Sequence, residues 1–133
     1  RGVRWYNDSI ASSPSRTIAG LRSFTEKVIL IAGGKDKGIS YDAIGPEINE
    51  HVKYLILCGA TAGVIRESVQ KAANYAGLPI REVQDYHEAV ALADEVSGEG
   101  DVVILSPAST SFDRFANFME RGQVFKAIVN ELK

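Results

Sequence analysis

Cysteine is nearly absent from this chain. Cys58 is its single thiol, so no disulfide can staple it internally. That cysteine stands in the apolar run YLILCG, where a small buried hydrophobe is expected rather than a nucleophile. No apolar run approaches the roughly 18 residues of a membrane-spanning helix, and there is no leader-type segment. The expectation is a cytoplasmic protein that touches no membrane. A formal net charge of −2, with both signs interspersed, excludes the basic face of a nucleic-acid binder. Catalytic signatures are equally sparse. No glycine-rich loop ends in Gly-Lys-Ser/Thr, which excludes a Walker loop, and no G-x-G-x-x-G follows an apolar strand. There is no cluster with metal-ligand spacing and no Ser/His/Asp arrangement.

What is present is a regular alternation of elements. With 45% apolar and 24% charged residues over 133 positions, the chain reads as one domain, 1–133, with a true core. Five apolar stretches predict strands at 3–7, 27–32, 54–58, 80–83 and 102–105. The second, third and fifth are continuous Val/Ile/Leu runs, as strands covered on both faces should be. Between them lie helical patterns. The first, 14–24, has Ser13 as N-cap and Pro14 at its first position. The next two cover 42–51, with Pro46 near its start, and 62–76, with Ile65, Val69, Ala72, Ala73 and Ala76 on one face. A fourth spans 87–96. The tail 112–132 repeats Phe115, Phe118, Met119, Phe125, Val129 and Leu132 at helical spacing, a stripe expected to be mostly core. The expected fold is therefore α/β: a doubly wound, mostly parallel, Rossmann-like sheet with helices on both faces.

In such sheets ligands lie outside the carboxyl ends of the strands. Three strand ends carry unusual polar loops: NDSIASSPSR after the first, GGKDKGIS after the second and SPASTSFDRF after the last. Hydroxyls, glycine N–H groups and Lys35 or Lys37 suggest a small crevice suited to an oxyanion. Such a crevice binds more readily than it catalyses.

Taken together, YNDSIASSPSRT, IAGGKDK and LSPASTSFDRFANFMERGQVF resemble, in order and spacing, the C-terminal domain of the Mur ligases. The similarity is greatest to the branch that adds D-glutamate to a peptidoglycan precursor. The Asp-x-x-Arg-type motif of the diaminopimelate and lysine branches is not seen in the expected loop. The most specific part is Ser-Pro-Ala followed by Ser-Phe-Asp-x-Phe and the Phe-x-x-Arg-Gly turn. The resemblance implies a three-domain enzyme whose first domain binds a UDP-sugar and whose central P-loop domain binds ATP and Mg²⁺. The substrate carboxylate becomes an acyl phosphate, and the amine of D-glutamate attacks it. This chain would be the last, amino-acid-binding domain, cut from a longer chain, inactive alone and monomeric. The start RGVRWYND, without an initiator Met, fits that expectation.

Residue by residue, the resemblance places Asn7, Asp8 and Ser9 on the nucleotide side when the domains close. Ser12 stands where the family often has a Thr that holds the amino-acid carboxylates. Lys37 matches the D-glutamate-binding lysine of the Gly-Gly loop. Ser111, Phe112 and Phe118 match residues that hold the D-glutamate side-chain carboxylate. Ile10 departs from the lysine usual at its position. A substrate with two carboxylates needs one fixed cation and several neutral donors, which this set supplies. Plainer roles compete at each position. Asp8 can cap a turn, Ser12 or Ser13 can cap the first helix, Ser111 can cap the last, and Ser106 and Pro107 can simply shape their loop. Lys35 reads as a solvated lysine, and Asp113 with Arg114 as a local surface ion pair. The alternatives to the D-glutamate reading are a free-standing, non-enzymatic module for a small acidic ligand, or the matching domain of another Mur or folylpolyglutamate ligase.

Overall fold

The computed structural model describes residues 2–36, 38–111 and 115–132. The roles expected for Lys37, Phe112, Asp113 and Arg114 lie outside the described residues. Ten elements alternate: β1 (Arg4–Asn7), α1 (Pro14–Arg22), β2 (Val28–Ala32), α2 (Ile44–His51), β3 (Val52–Leu57), α3 (Ala62–Lys71), β4 (Ile80–Glu82), α4 (Tyr86–Val96), β5 (Val102–Leu105) and α5 (Phe118–Asn130). One sheet runs in the order β1-β5-β2-β3-β4, and every pairing in it is parallel. The α/β expectation holds, with a wholly parallel sheet in place of a mostly parallel one.

Two-residue periodicity divides the apolar runs between the faces of the sheet. Leu30, Ala32, Val102 and Ile104 pack toward α1, α2 and α3 with Leu21, Ile44, Ile48, Ile65 and Val69. Ile29, Ile31, Val103 and Leu105 point the other way, onto Tyr86, Ala89, Val90, Phe125 and Ile128 of α4 and α5. Each fully buried Ile or Leu contributes roughly 1.5–3 kcal/mol, so both layers are needed. Trp5 of the edge strand β1 covers the second layer against Phe125, with ring centroids 6.3 Å apart.

Two helices differ from their sequence pattern. The alanine-rich stretch to residue 76 predicts a long helix, but α3 ends at Lys71 and Ala72 is extended (φ −70°, ψ 145°). Asn74 explains the stop. Its Nδ2 donates to the Pro46 carbonyl at 2.9 Å, and its Oδ1 accepts from Asn49 Nδ2 at 3.0 Å. An asparagine that finds partners off the helix competes with the helical backbone. Ala73 and Ala76 are consequently exposed. The tail helix begins at Phe118, not near 112. Asn117 caps it by accepting from Glu120 N–H (2.9 Å), while Glu120 Oε1 accepts from Ala116 N–H (2.6 Å). Phe115 therefore precedes the helix and reaches the core separately, against Tyr86 at 5.4 Å. Phe118 and Met119 are 38% and 59% exposed, which corrects the expectation of a core stripe at those two positions.

Candidate functional site

The sheet order decides where a site can form. β1, β5 and β2 are adjacent, so the three polar loops singled out in the sequence leave neighbouring strand ends. The chain leaves β2 for α2 on one face and leaves β5 for α5 on the other. A crevice opens at the carboxyl edge between strands whose connections part in this way.

Backbone bonds lace the loops together. In the β1 loop, Asn7 Oδ1 accepts from Ser9 N–H at 3.1 Å and the Asp8 carbonyl accepts from Ala11 N–H at 2.9 Å, closing a tight turn. Asp8 Oδ2 accepts from Ser106 Oγ at 2.9 Å, and Thr17 Oγ1 lies 3.0 Å from the same hydroxyl. Gly33 N–H donates to the Pro107 carbonyl at 2.8 Å, and Ala108 N–H to the Ala11 carbonyl at 2.9 Å. Ala108 takes a left-handed backbone (φ 60°), the one non-glycine residue to do so among the described residues. Strain of order 1–3 kcal/mol persists only where surrounding bonds over-determine it. Lys35 N–H donates to the Thr110 carbonyl at 2.9 Å, forming an isolated antiparallel bridge.

Behind this lattice runs a chain of hydroxyls. Gly34 N–H donates to Thr61 Oγ1 (3.0 Å), which lies 2.8 Å from Ser109 Oγ, itself 2.9 Å from the Tyr41 hydroxyl. Burial holds the Tyr41 phenol above its ordinary value of 10.0, against the opposing hydrogen bond with Ser109. It stays a neutral strut at physiological pH.

The keystone of the lattice is Arg121. Only 1% exposed, it reaches from α5 into the loops. Its Nε donates to Ser9 Oγ (3.0 Å), Nη2 to the Ser9 carbonyl (2.7 Å) and Nη1 to the Ser109 carbonyl (2.9 Å). Nη2 also lies 3.4 Å from Ser12 Oγ. Ser9 Oγ in turn donates to the Phe118 carbonyl at 2.7 Å. Gly122 permits the close approach of α5: a Cβ there would stand 2.7 Å from Asn7 Nδ2. The Arg-Gly pair read in the sequence as a turn is thus helical and buried. Its signal was the adjacency of a long cation to a glycine within a helix, a pairing that lets the backbone close in while the side chain crosses.

The expected site residues separate into groups. Ser12 and Ser111 lie on loops that Arg121 and the Ala11–Ala108 bond draw together. Asn7, Ser9 and Phe118 line an adjoining open groove of about 340 Å³, shared with Ile10, Met119 and Lys126. Asp8 is tied down by Ser106, so the turn and the loop tie both draw on it. Ser13 occupies the N-cap position of α1, yet its side chain makes no capping bond. Ser111 does not cap the last helix, because Asn117 does. Ile10 is 51% exposed at the rim. Among the described residues no group of three or more His, Cys, Asp or Glu side chains is placed to hold a metal ion. No helix among them is long and apolar enough to cross a membrane.

Residues 1–109 match the profile of the Mur ligase, glutamate ligase domain. The chain belongs to the Mur ligase family. It is 56% identical, over 136 aligned positions, to the UDP-N-acetylmuramoylalanine–D-glutamate ligase of Acetivibrio thermocellus, and 54% to that of Ruminiclostridium cellulolyticum. Each alignment covers 99% of this chain but 29% of the relative, so the chain spans under a third of their length. Among solved structures it matches a UDP-N-acetylmuramoyl-L-alanyl-D-glutamate–2,6-diaminopimelate ligase with TM-score 0.63 and 14% identity, over 98% of this chain and 30% of that one. That likeness shows a shared Mur ligase fold. Arg121, like Ser111 and Phe118, lies beyond the stretch that the domain profile covers.

Proposed function

We propose that this chain is the amino-acid-binding, C-terminal domain of an ATP-dependent ligase that joins D-glutamate to UDP-N-acetylmuramoyl-L-alanine in the cytoplasm. The observation that carries the reading is the lacing of the β1, β2 and β5 loops around Arg121, which builds a fixed rim of neutral donors beside a lysine-bearing loop. The names of the relatives supply the substrates. ATP and Mg²⁺, held mainly by a preceding domain, supply the phosphoryl group that activates the acceptor carboxylate. Here Lys37 provides the cation for D-glutamate. Ser12, Ser111 and the N–H of Phe112 orient its carboxylates, and Phe118 borders the site. Asn7, Asp8 and Ser9 face the nucleotide on closure. Binding both carboxylates leaves the amine free to attack, and closing the domain excludes water from the activated centre.

By itself the domain neither hydrolyses ATP nor forms an amide, and it is a monomer. The complete enzyme should release phosphate only when D-glutamate and UDP-N-acetylmuramoyl-L-alanine are both supplied. Turnover with diaminopimelate in place of D-glutamate, or sustained turnover by the isolated 133-residue chain, would overturn the reading.

A further inference from the structure

Thr110 is held by its carbonyl, while its side chain takes no part in the lattice of loop bonds. It is 7% exposed, yet its Oγ1 has no hydrogen-bond partner, one of two such buried side-chain atoms among the described residues. The other, Asn49 Oδ1, belongs to the amino edge of the sheet, where Lys27, Val52 and Lys53 gather. Buried polar atoms are nearly always bonded, so an orphan marks a partner that is missing. The neighbours of Thr110 sharpen the point. The hydroxyls of Ser9, Ser106 and Ser109 are all engaged with protein groups. Ser111, 4% exposed, offers its carbonyl to Phe115 N–H but its hydroxyl to no described residue. Two successive hydroxyls, both nearly buried, are therefore unspent. The Thr110 backbone is fixed by Lys35 N–H, directly across from the lysine-bearing loop.

We infer that the Thr110 hydroxyl is a further substrate ligand, which donates beside Ser111 to a carboxylate oxygen of the incoming amino acid. The inference rests on the proposed function, because the anion it needs is that substrate. An ionised carboxylate accepts several hydrogen bonds at once, so two adjacent hydroxyl donors can share it. Holding an unsatisfied hydroxyl in the free protein costs stability, and ligand binding would relieve that cost. The same trade recurs where a protein keeps a local rule broken for function.

The test compares Thr110→Val, Thr110→Ser and Ser111→Ala in the complete ligase, reading KM for D-glutamate, KM for ATP and the thermal midpoint. Valine keeps the shape and removes the hydroxyl. It should raise KM for D-glutamate about fivefold, the effect of one neutral hydrogen bond, and leave KM for ATP unchanged. Its thermal midpoint should hold or rise. Serine keeps the hydroxyl and should keep the parental KM. An unchanged D-glutamate KM in Thr110→Val, or an equal rise in Thr110→Ser, overturns the inference and leaves Thr110 the seat of a structural water. If Ser111→Ala still weakens D-glutamate, the proposed function stands without Thr110. If D-glutamate supports no turnover even in the parent, that function fails first.

Discussion

Arg121 and Ser9 stand 112 positions apart, yet one guanidinium grips both the Ser9 carbonyl (2.7 Å) and the Ser9 hydroxyl (3.0 Å). The pair joins the last helix to the first loop, and the Ser109 carbonyl adds the β5 loop to the same fork. Arg121→Met would fill similar volume while leaving three buried oxygens without their donor. Charge-assisted bonds are each worth about 1.5–3 kcal/mol, and relaxation recovers part, so a loss of about 2–4 kcal/mol is expected. Urea unfolding of the chain measures it. A variant as stable as the parent would show the fork to be idle.

The Gly-Gly turn gives a second prediction. Gly33 has φ +111°, and a Cβ there would lie 2.1 Å from the Cys58 carbonyl oxygen. Backbone cannot yield as a side chain can, so Gly33→Ala should cost at least about 2 kcal/mol. Gly122→Ala is the informative contrast. Its Cβ meets the end of the Asn7 side chain and, at 3.2 Å, Ser9 Cβ, a crowding that the roughly 1 kcal/mol of helix propensity gained by alanine offsets. Stability should scarcely move. But Asn7 must leave the bond that closes the Ser9 turn, so turnover in the complete enzyme should fall. Unfolding midpoints and kcat for the two variants separate local space from loop geometry.

Stability should also depend on acid through two surface pairs. The hydrogen bond from Arg22 holds the Glu47 carboxyl below its ordinary 4.5, and Lys53 does the same to Asp101, ordinarily 3.8, helped by Gly98 N–H. Such groups bind protons more readily in the unfolded chain. Their contribution is complete above those ordinary values and is lost as pH falls through the lower folded ones. The urea midpoint of the parent should drop further between pH 7 and pH 3 than that of a Glu47→Gln/Asp101→Asn double variant. Added salt should narrow the gap, because both pairs are solvent-facing. Equal drops in both proteins would exclude these pairs as the source.

The strands were legible because β2 and β5 are buried on both faces and read as unbroken apolar runs, as does the second half of β3 from Leu55. The site edge was legible for a related reason: polar loops stand out after such runs, and topology then places them together. What stayed hidden was long-range polar pairing. Nothing near Asn74 in sequence announces that Pro46 and Asn49 will draw it off α3. Likewise, an arginine inside an amphipathic helix normally reads as solvated. Its burial depends on acceptors offered by residues 9 and 109; the adjacent Gly122 marks a close approach but does not say which residues come near. Thr110 escaped notice because an orphaned hydroxyl is defined by its surroundings, not by its neighbours in sequence.

The last prediction concerns how the proposed carboxylate site divides its work. Arg121 Nη2 approaches Ser12 Oγ at 3.4 Å as a donor, so the Ser12 oxygen faces the cation and its own O–H is left to point elsewhere. That polarity suits donation to a substrate oxygen. Ser12→Ala should then raise KM for D-glutamate by the equivalent of about 1 kcal/mol in the complete enzyme. Lys37 carries the full charge in this scheme. Its loop is anchored at Lys35 by Thr110 and turned by Asp36 Oδ1, which accepts from Gly38 N–H at 2.8 Å. Lys37→Ala should cost about 2–3 kcal/mol, felt mainly in KM for D-glutamate, because a carboxylate would enter a desolvated site without its cation. Lys35→Ala, at an exposed position, should change KM little. Steady-state kinetics on the three variants with ATP and the UDP-sugar saturating reads the order directly. If Lys35→Ala and Lys37→Ala exchange places, the cation of the site is Lys35, and the loop presents its other lysine to solvent.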